Sequence, residues 1–169
     1  MSRVRRLRAS DRIFFITVNL RRALPPLDDA EYALVGDALT ESRRKLHFLL
    51  YGYVLMPDHW HALIWTTHPL TLSRVVQDIK WISARFLNEA RRRSGAVWQH
   101  QFWDRFVRHP KEFGERMNYM HLNPVRKGLV AKPEEWRWSS SNNFALDKKT
   151  APGCPIQVDI VHLPESYRA

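Results

Sequence analysis

Two apolar runs separated by only two residues constrain the fold more than any other feature of the sequence. Residues 48–56 and 59–65 are rich in β-branched and aromatic side chains and flank Pro57-Asp58, which is typical of a turn, so they predict an antiparallel hairpin. The second strand opens with His59 and His61. Since residues two apart in a strand point to the same face, the two imidazoles would lie side by side, either as a clamp for a divalent metal or as ordinary strand histidines.

The pattern on either side of this hairpin predicts two further strands and two helices. Residues 13–20 and 97–107 predict the other strands, and the aromatic side chains of the second run are expected in the core. Apolar residues at helical spacing predict one helix after residues 28–29 and a longer one from residues 71–73 to an arginine run at 91–93.

The order strand, helix, strand, strand, helix, strand indicates an α+β fold of the ferredoxin-like (RRM-like) type. In this fold an antiparallel sheet carries its helices on one face, and the third strand is central. Trp60, Ala62 and Ile64 would therefore meet the helices. His59 and His61 would lie on the open face.

A further helix carrying one tyrosine is predicted after the fourth strand. Pro110 suits the first turn of a helix, and residues 111–123 keep an apolar stripe at helical spacing. Tyr119 lies beside that stripe, either with its hydroxyl reaching outward for a function or as a packed ring whose hydroxyl meets water. This added tyrosine-bearing helix would approach the open face of the sheet.

The charge balance predicts a polyanionic partner, with nucleic acid favoured over membrane. The chain has 169 residues, of which 27 are Lys or Arg and 17 are Asp or Glu, and its formal net charge is +10. This length suits one domain over residues 13–144, between a basic arm at 1–12 and an irregular tail at 145–169. The candidate DNA contacts are Arg3, Arg5, Arg6, Arg8, Lys80, Trp81, Arg85, Arg126 and Lys127. Of these, Trp81 is either a platform for a base or the edge of the core.

Composition also narrows the location and the metal chemistry. No run approaches the roughly 18 apolar residues of a transmembrane helix, and no signal peptide is apparent, so a cytoplasmic protein is expected. The one cysteine, Cys154, excludes an internal disulfide and a multi-cysteine zinc site. Any metal site must therefore use histidine and oxygen ligands.

Five segments, taken in order, carry a resemblance to a known family. They are FFITVNL at 14–20, VLMPDHWH at 54–61, VWQ at 97–99 with FW at 102–103, YMHLNPVRKGLV at 119–130 and WRWSSS at 136–141. The chain resembles the HUH single-tyrosine transposases and, within them, the REP-associated tyrosine transposases. The resemblance spans about residues 13–144.

This resemblance implies a strand transferase acting on single-stranded DNA, with hairpin-containing repeats as the expected substrate. His59 and His61 would bind Mg²⁺ or Mn²⁺. Tyr119 would attack a phosphodiester, giving a 5′-phosphotyrosine link and a free 3′-hydroxyl that a later transfer can use.

The third metal ligand is less constrained by the sequence. Asn123 lies one helical turn after Tyr119, and the resemblance favours a polar ligand there. Asn123-Pro124 also suits a helix cap, which would occupy the side chain. Asp104 and Glu115 are the alternative ligands, and Glu115 is also a candidate base for the phenol.

Three other functions share parts of this pattern. An HUH replication initiator or relaxase would use the same chemistry, but these proteins are commonly larger and often carry paired tyrosines. An RRM-like module would bind nucleic acid without cleaving it, and a histidine-metal hydrolase would activate water instead of tyrosine. The sequence does not distinguish a monomer from a homodimer.

Overall fold

A computed structural model describes residues 12–144 and 155–159 of the chain. The predicted basic arm, apart from Arg12, and most of the predicted tail lie outside the described residues. The regular elements are β1 (Arg12–Asn19), α1 (Asp29–Leu46), β2 (Leu49–Leu55), β3 (His59–Thr66), α2 (Leu72–Ala90), β4 (Trp103–Phe106) and α3 (Pro110–Arg126). Two 3₁₀ turns follow, at Pro133–Glu135 and Ser140–Asn143.

The strands form one antiparallel sheet in the order β2-β3-β1-β4. The hairpin predicted around Pro57-Asp58 is present as the β2–β3 pair. Helices α1 and α2 pack against each other and cover one face of the sheet. This strand order and this pair of helices confirm the predicted ferredoxin-like fold.

A side chain caps the N-terminus of each helix by accepting a hydrogen bond from a backbone N–H group that has no partner within the helix. The Asp28 carboxylate accepts from the Glu31 N–H at 2.9 Å and the Glu31 carboxylate accepts from the Asp28 N–H at 3.0 Å, which is a capping box for α1. Thr71 caps α2. At α3 the cap is His109, whose Nδ1 accepts from the Glu112 N–H at 3.2 Å. None of the described helices has the length and hydropathy that crossing a bilayer requires.

The main core lies between the sheet and the α1–α2 layer. Trp60, Ala62 and Ile64 are fully buried there, as the alternation of β3 predicts. Their partners include Val35 and Leu39 of α1 together with Val75, Val76 and Ile79 of α2. Burying a large apolar side chain contributes roughly 1.5–3 kcal/mol, so this layer stabilises the sheet that carries the histidines.

The opposite face of the sheet, which the two core helices leave open, is covered in its middle by the tyrosine-bearing helix that the sequence predicted to approach it. Helix α3 packs against β2 and β3, where Met120 joins Val54 and Leu63 in a second apolar cluster. Gly52 of β2 permits the close approach, since a Cβ there would lie 2.7 Å from the Sδ of Met117. The apolar stripe of α3 therefore buries the middle of this face.

The fourth strand is shorter than predicted, and one of its aromatic residues is not in the core. Of residues 97–107, only Trp103–Phe106 form β4, while the buried Trp98 makes an isolated bridge with Leu20. The side chain of Trp103 is 73% exposed, which contradicts its expected place in the core. The reason is positional: β4 is an edge strand, and α3 covers the other half of this face, over β2 and β3.

Residues 155–159, the described part of the predicted tail, pack along the edge of β2. Ile156 is buried in the main core. The Asp159 N–H donates to the Leu50 carbonyl at 2.8 Å, and the Asp159 carboxylate accepts from the Leu50 N–H at 2.8 Å. The same carboxylate pairs with Arg43 of α1 at 2.6 Å. This short segment thus supplies hydrogen bonds to the Leu50 end of the sheet edge, while residues 138–140 bond its other end.

Candidate active site between the hairpin and the third helix

The two histidines lie at the start of β3, beneath α3. His59 is 9% exposed and His61 is 4% exposed, and their ring centroids are 4.7 Å apart. The alternation of the strand does place both rings on one face, as predicted. Their burial differs from the prediction because α3 covers that face.

Each histidine is held through Nδ1, so that Nε2 of both rings points toward α3. Nδ1 of His59 lies 2.6 Å from the Asp58 carboxylate, and Nδ1 of His61 lies 2.8 Å from the Thr17 hydroxyl. Thr17 reaches His61 because β1 and β3 pair Thr17 with His61 in register. Metal-binding histidines are commonly fixed by such a bond on the nitrogen that does not face the metal.

Asn123 completes a group of three polar side chains. Its amide nitrogen lies 2.9 Å from Nε2 of His61 and 3.3 Å from Nε2 of His59. Helix α3 continues through Pro124 to Arg126, so Asn123 is an interior helix residue and the cap considered from the sequence does not form. Packing against the sheet outweighs the modest preference against helical backbone before proline.

Electrostatics keep His61 a neutral lone-pair donor. Burial, and then the neighbouring His59, lower the pKa of His61 to about 3, so its ring is uncharged near pH 7. Burial alone would raise the pKa of the Asp58 carboxyl, but its hydrogen bond to His59 and the charge of Lys127 hold this pKa below the ordinary value. A negative Asp58 favours a proton on Nδ1 of His59, which leaves Nε2 as the acceptor.

Tyr119 lies one turn before Asn123, at the rim of this group. Its side chain is 41% exposed, and its ring centroid is 5.8 Å from that of His61. The Phe15 ring stacks on His61 at 5.1 Å and meets the Tyr119 ring edge-on at 6.1 Å. The guanidinium of Arg126 lies 5.2 Å above the Tyr119 ring. The phenol is therefore open to solvent on one side and close to the histidines on the other.

The residues present suit a divalent cation only if the amide takes part. Across residues 12–144 and 155–159, no group of three or more His, Cys, Asp or Glu side chains is placed to hold a metal. Two imidazoles and an amide, which carries an oxygen as well as a nitrogen, form an acceptable donor set for Mn²⁺ or Mg²⁺. Asp104 does not join them, because it pairs with Ile16 in register and so belongs to the opposite face.

Glu115, the other alternative ligand, is exposed on α3. It precedes Asn123 by two helical turns, or about 12 Å along the axis, so it does not belong to the histidine group. It precedes Tyr119 by one turn, which keeps it available as a base for the phenol.

The predicted DNA contacts fall into separate places. Arg126 and Lys127 follow Tyr119 at the end of α3, beside the site. Trp81 is 62% exposed with Arg85 stacked on its ring, so it is not an edge of the core. Lys80 is tied down by bonds from Nζ to the carbonyls of Gln99 and His100 at 2.7 and 3.1 Å. Arg3, Arg5, Arg6 and Arg8 lie outside the described residues.

Lys80 and Trp81 line a groove of about 920 Å³ at the end of β1, together with Arg21 and Arg22. An exposed indole among cations is a surface that suits single-stranded nucleic acid.

Two residues of the site are not predicted from the sequence. From the sequence, Asp58 is interpreted only as a turn residue and not as part of the site. Its position directly before His59 could have indicated that its carboxylate bonds that histidine. Thr17 carries no local signal, because its role depends on the register between β1 and β3.

The family model for IS200-like transposases matches residues 14–108, from β1 to just beyond β4. The chain therefore belongs to this family of transposases. The matched region contains His59 and His61 and ends before α3, which carries Tyr119 and Asn123.

Comparison with known proteins gives a more specific match within this family. The chain is 28% identical over 144 residues to the REP-associated tyrosine transposase of Escherichia coli K12, covering 83% of this chain and 82% of that protein. It is 26% identical over 98 residues to a putative REP-associated tyrosine transposase of Haemophilus influenzae, covering 51% and 54% of the two chains. These matches confirm the resemblance predicted from the sequence.

Solved structures share the fold. A REP-associated tyrosine transposase bound to a REP hairpin aligns with a TM-score of 0.75 and 22% identity, over 96% of this chain and 95% of that one. A putative transposase of Deinococcus radiodurans R1 aligns with a TM-score of 0.51 and 18% identity, over 63% and 86%.

Proposed function

We propose that this transposase is an HUH-type endonuclease and strand transferase that cuts single-stranded DNA with Tyr119 as the nucleophile. One observation carries the proposal: the Asn123 amide nitrogen lies within 3.3 Å of Nε2 of both His59 and His61, one turn from an accessible phenol. The site thus combines a cation-binding group with a nucleophile on one surface.

His59, His61 and Asn123 are the residues that would hold Mg²⁺ or Mn²⁺. When bound, the divalent ion supplies Lewis acidity at a phosphate oxygen and offsets the negative charge that repels a nucleophile. Asp58 and Thr17 keep the two imidazoles in the orientation and tautomer that this binding needs.

Tyr119 carries the covalent step. Its phenol oxygen forms a bond to phosphorus while the bond from phosphorus to the 3′ oxygen breaks, which leaves a 5′-phosphotyrosine and a 3′-hydroxyl. The phenol proton leaves to a base, for which Glu115 lies one turn away, and the departing 3′ oxygen takes up a proton from solvent. Attack by another 3′-hydroxyl on the phosphotyrosine reverses the step, so strand transfer needs no nucleotide cofactor.

The net charge of the chain and its similarity to a solved transposase both favour a DNA hairpin with a single-stranded flank as the substrate. The net charge of +10 suits a polyanion, and Arg126 beside Tyr119 adds a cation where a phosphate would approach the nucleophile. The structural neighbour of closely similar length was solved on a REP hairpin. We infer that this chain also acts on hairpin-containing repeat DNA.

Incubation with hairpin-bearing single-stranded DNA and Mn²⁺, followed by denaturing electrophoresis, tests the proposal. A protein–DNA adduct is expected from the wild type and none from Tyr119→Phe, which still binds DNA. Tyr32→Phe is the matched control, since Tyr32 is buried in the main core, on the other side of the sheet. Undiminished cleavage by Tyr119→Phe would favour a hydrolase, and binding without any cleavage by the wild type would favour an RNA-recognition-like module.

A replication initiator or relaxase is the weaker candidate. Helix α3 contains a single tyrosine, whereas paired tyrosines are common in those enzymes.

A further inference from the structure

Trp103 lies in the same row of the sheet as the histidine pair. In the register of the sheet, Trp103 of β4 is opposite Thr17 of β1, and Thr17 is opposite His61 of β3. Residues opposite each other in antiparallel strands share a face, so Trp103 and His61 lie on the same side. Two strand spacings separate them, which is roughly 10 Å between Cα atoms.

The exposure of Trp103 is unusual for such a residue. At 73%, its side chain is more exposed than any other large hydrophobic among residues 12–144 and 155–159. An exposed tryptophan at the edge of a functional face offers a flat ring for stacking, and its apolar surface favours a partner.

A cleft separates Trp103 from the candidate active site, and the two share a wall. We call it the Trp103 cleft; it has a volume of about 550 Å³ and is lined by Phe15, Thr17, Trp103, Asp104, Arg105, Phe106 and Arg108. That volume lies within the roughly 300–1,000 Å³ typical of ligand pockets. The Phe15 ring that lines the cleft also stacks on His61 and contacts Tyr119. A ligand in the cleft would therefore lie directly beside the nucleophile.

The rim of the cleft is cationic. Arg105 is 58% exposed and pairs with Glu112 at 2.8 Å, and the Arg108 guanidinium lies 5.1 Å above the Phe106 ring. Asp104 is the one acidic residue of the lining. Phe106 is opposite Phe14 and belongs to the other face of the sheet, whereas Arg105 is opposite Phe15 and shares the face of Trp103. An arginine beside an exposed indole is a combination that binds both the phosphate and the base of a single strand.

We propose that the Trp103 cleft binds an unpaired nucleotide next to the scissile phosphodiester, with its base stacked on the Trp103 indole and a neighbouring phosphate facing Arg105 and Arg108. This inference rests on the proposed function, because Tyr119 fixes where the scissile phosphate lies. Every base has a π-face, so this residue positions the strand and does not read its sequence.

Binding is measured on the Tyr119→Phe protein, so that no covalent step contributes. With a single-stranded oligonucleotide followed by fluorescence anisotropy, Trp103→Ala is expected to weaken the Kd roughly 5- to 150-fold, the range that base stacking supports. Trp103→Phe should retain most of the affinity, whereas Trp103→Leu, which is apolar but lacks a π-face, should lose as much as alanine. Leu49→Ala is the control, since Leu49 is also an exposed apolar residue but lies on the opposite edge strand.

An abasic scan identifies the nucleotide. One abasic site is placed at each position around the cleavage point, and each oligonucleotide is tested with the Tyr119→Phe parent and with the same protein carrying Trp103→Ala. At one position the loss of the base and the loss of the indole should not add, because each removes the same contact. Fully additive losses at every position, or equal affinity of Trp103→Ala and its parent, would overturn the proposal.

Two further outcomes are decisive. If sedimentation shows that Trp103→Ala converts a dimer to a monomer and DNA affinity per protomer is unchanged, the cleft is a subunit contact and the proposal fails. If Trp103→Ala does not fold, the comparison of Trp103→Phe with Trp103→Leu carries the same test. Lack of cleavage by the wild type would overturn the proposed function. The binding measurements would still show whether the Trp103 indole contacts DNA, because they do not depend on cleavage.

Discussion

The amide nitrogen of Asn123 lies 2.9 Å from Nε2 of His61, although 62 residues separate them in the chain. This contact joins α3 to the hairpin one helical turn after Tyr119, the proposed nucleophile. Because Asn123 is buried and the helix continues past it, its side chain is directed at the histidines and is not used as a cap.

Substitution of Asn123 should therefore change metal binding. We expect Asn123→Ala to lower Mn²⁺ affinity at least about tenfold, since it removes one of the three proposed ligands, while Asn123→Asp should restore binding through a carboxylate oxygen. Calorimetric titration measures both. Asn118→Ala, at an exposed position of the same helix, is the control. Wild-type affinity in Asn123→Ala would remove Asn123 from the ligand set.

Thr17 should affect the metal without touching it. Thr17→Val keeps the shape of the side chain but removes the oxygen 2.8 Å from Nδ1 of His61, so Mn²⁺ affinity is expected to fall by about 10- to 100-fold. An unchanged Mn²⁺ titration would show that packing alone orients His61.

Thr66 provides a contrast at the other end of β3. Its hydroxyl is fully buried and has no hydrogen-bond partner among the described residues. Thr66→Val should therefore stabilise the fold, by about 1 kcal/mol in urea unfolding, because a buried unpaired hydroxyl is replaced by a methyl group. A loss of stability would point to a partner outside this part of the chain.

The stability of the fold should fall in mild acid. Burial lowers the pKa of His121 to about 4 and helps to lower that of His61 to about 3, whereas an unfolded histidine titrates near 6.5. Between these values the unfolded chain binds more protons, so stability is retained above about pH 6.5 and lost as the pH falls toward about 4.

His121→Gln should reduce this acid loss, because an amide can still bond the Ser140 hydroxyl that lies 2.8 Å from Nε2 of His121. Urea unfolding at pH 7, 5.5 and 4.5 measures the difference. His100→Gln, at an exposed position, should leave the pH profile of the wild type unchanged. Parallel profiles for His121→Gln and the wild type would assign the acid loss to other groups.

The basic arm should contribute to DNA affinity through phosphate contacts. Deletion of residues 1–10 removes Arg3, Arg5, Arg6 and Arg8. The plot of log affinity against log salt concentration has a negative slope, and each lost phosphate contact reduces the steepness of that slope by about 0.7 for a single strand. The steepness should therefore decrease by up to about 3. Equal slopes for the two proteins would show that the arm does not bind DNA.

The sequence allowed the hairpin, the strand order and the shared face of the histidines to be predicted, because each depends on local spacing or turn chemistry. The approach of α3 to this face was also predicted, but the burial of His59 and His61 was not, since it depends on how the stripe of α3 fits Gly52 and its neighbours across the sheet. The exposure of Trp103 was missed for a related reason. A tryptophan is by its type expected in the core, but Trp103 is exposed because β4 is an edge strand. Which strand lies at an edge is known only once all the strands are paired.

Two contacts that assemble the site join residues far apart in sequence: Thr17 and His61 are 44 positions apart, and His61 and Asn123 are 62 positions apart. Closing such loops is unfavourable until the whole sheet and α3 are in place, so these contacts belong to the late part of folding. A chain still emerging from the ribosome, or one partly unfolded, would hold the tyrosine apart from the histidines. On the proposed function, the capacity to break DNA would then arise only in the finished domain.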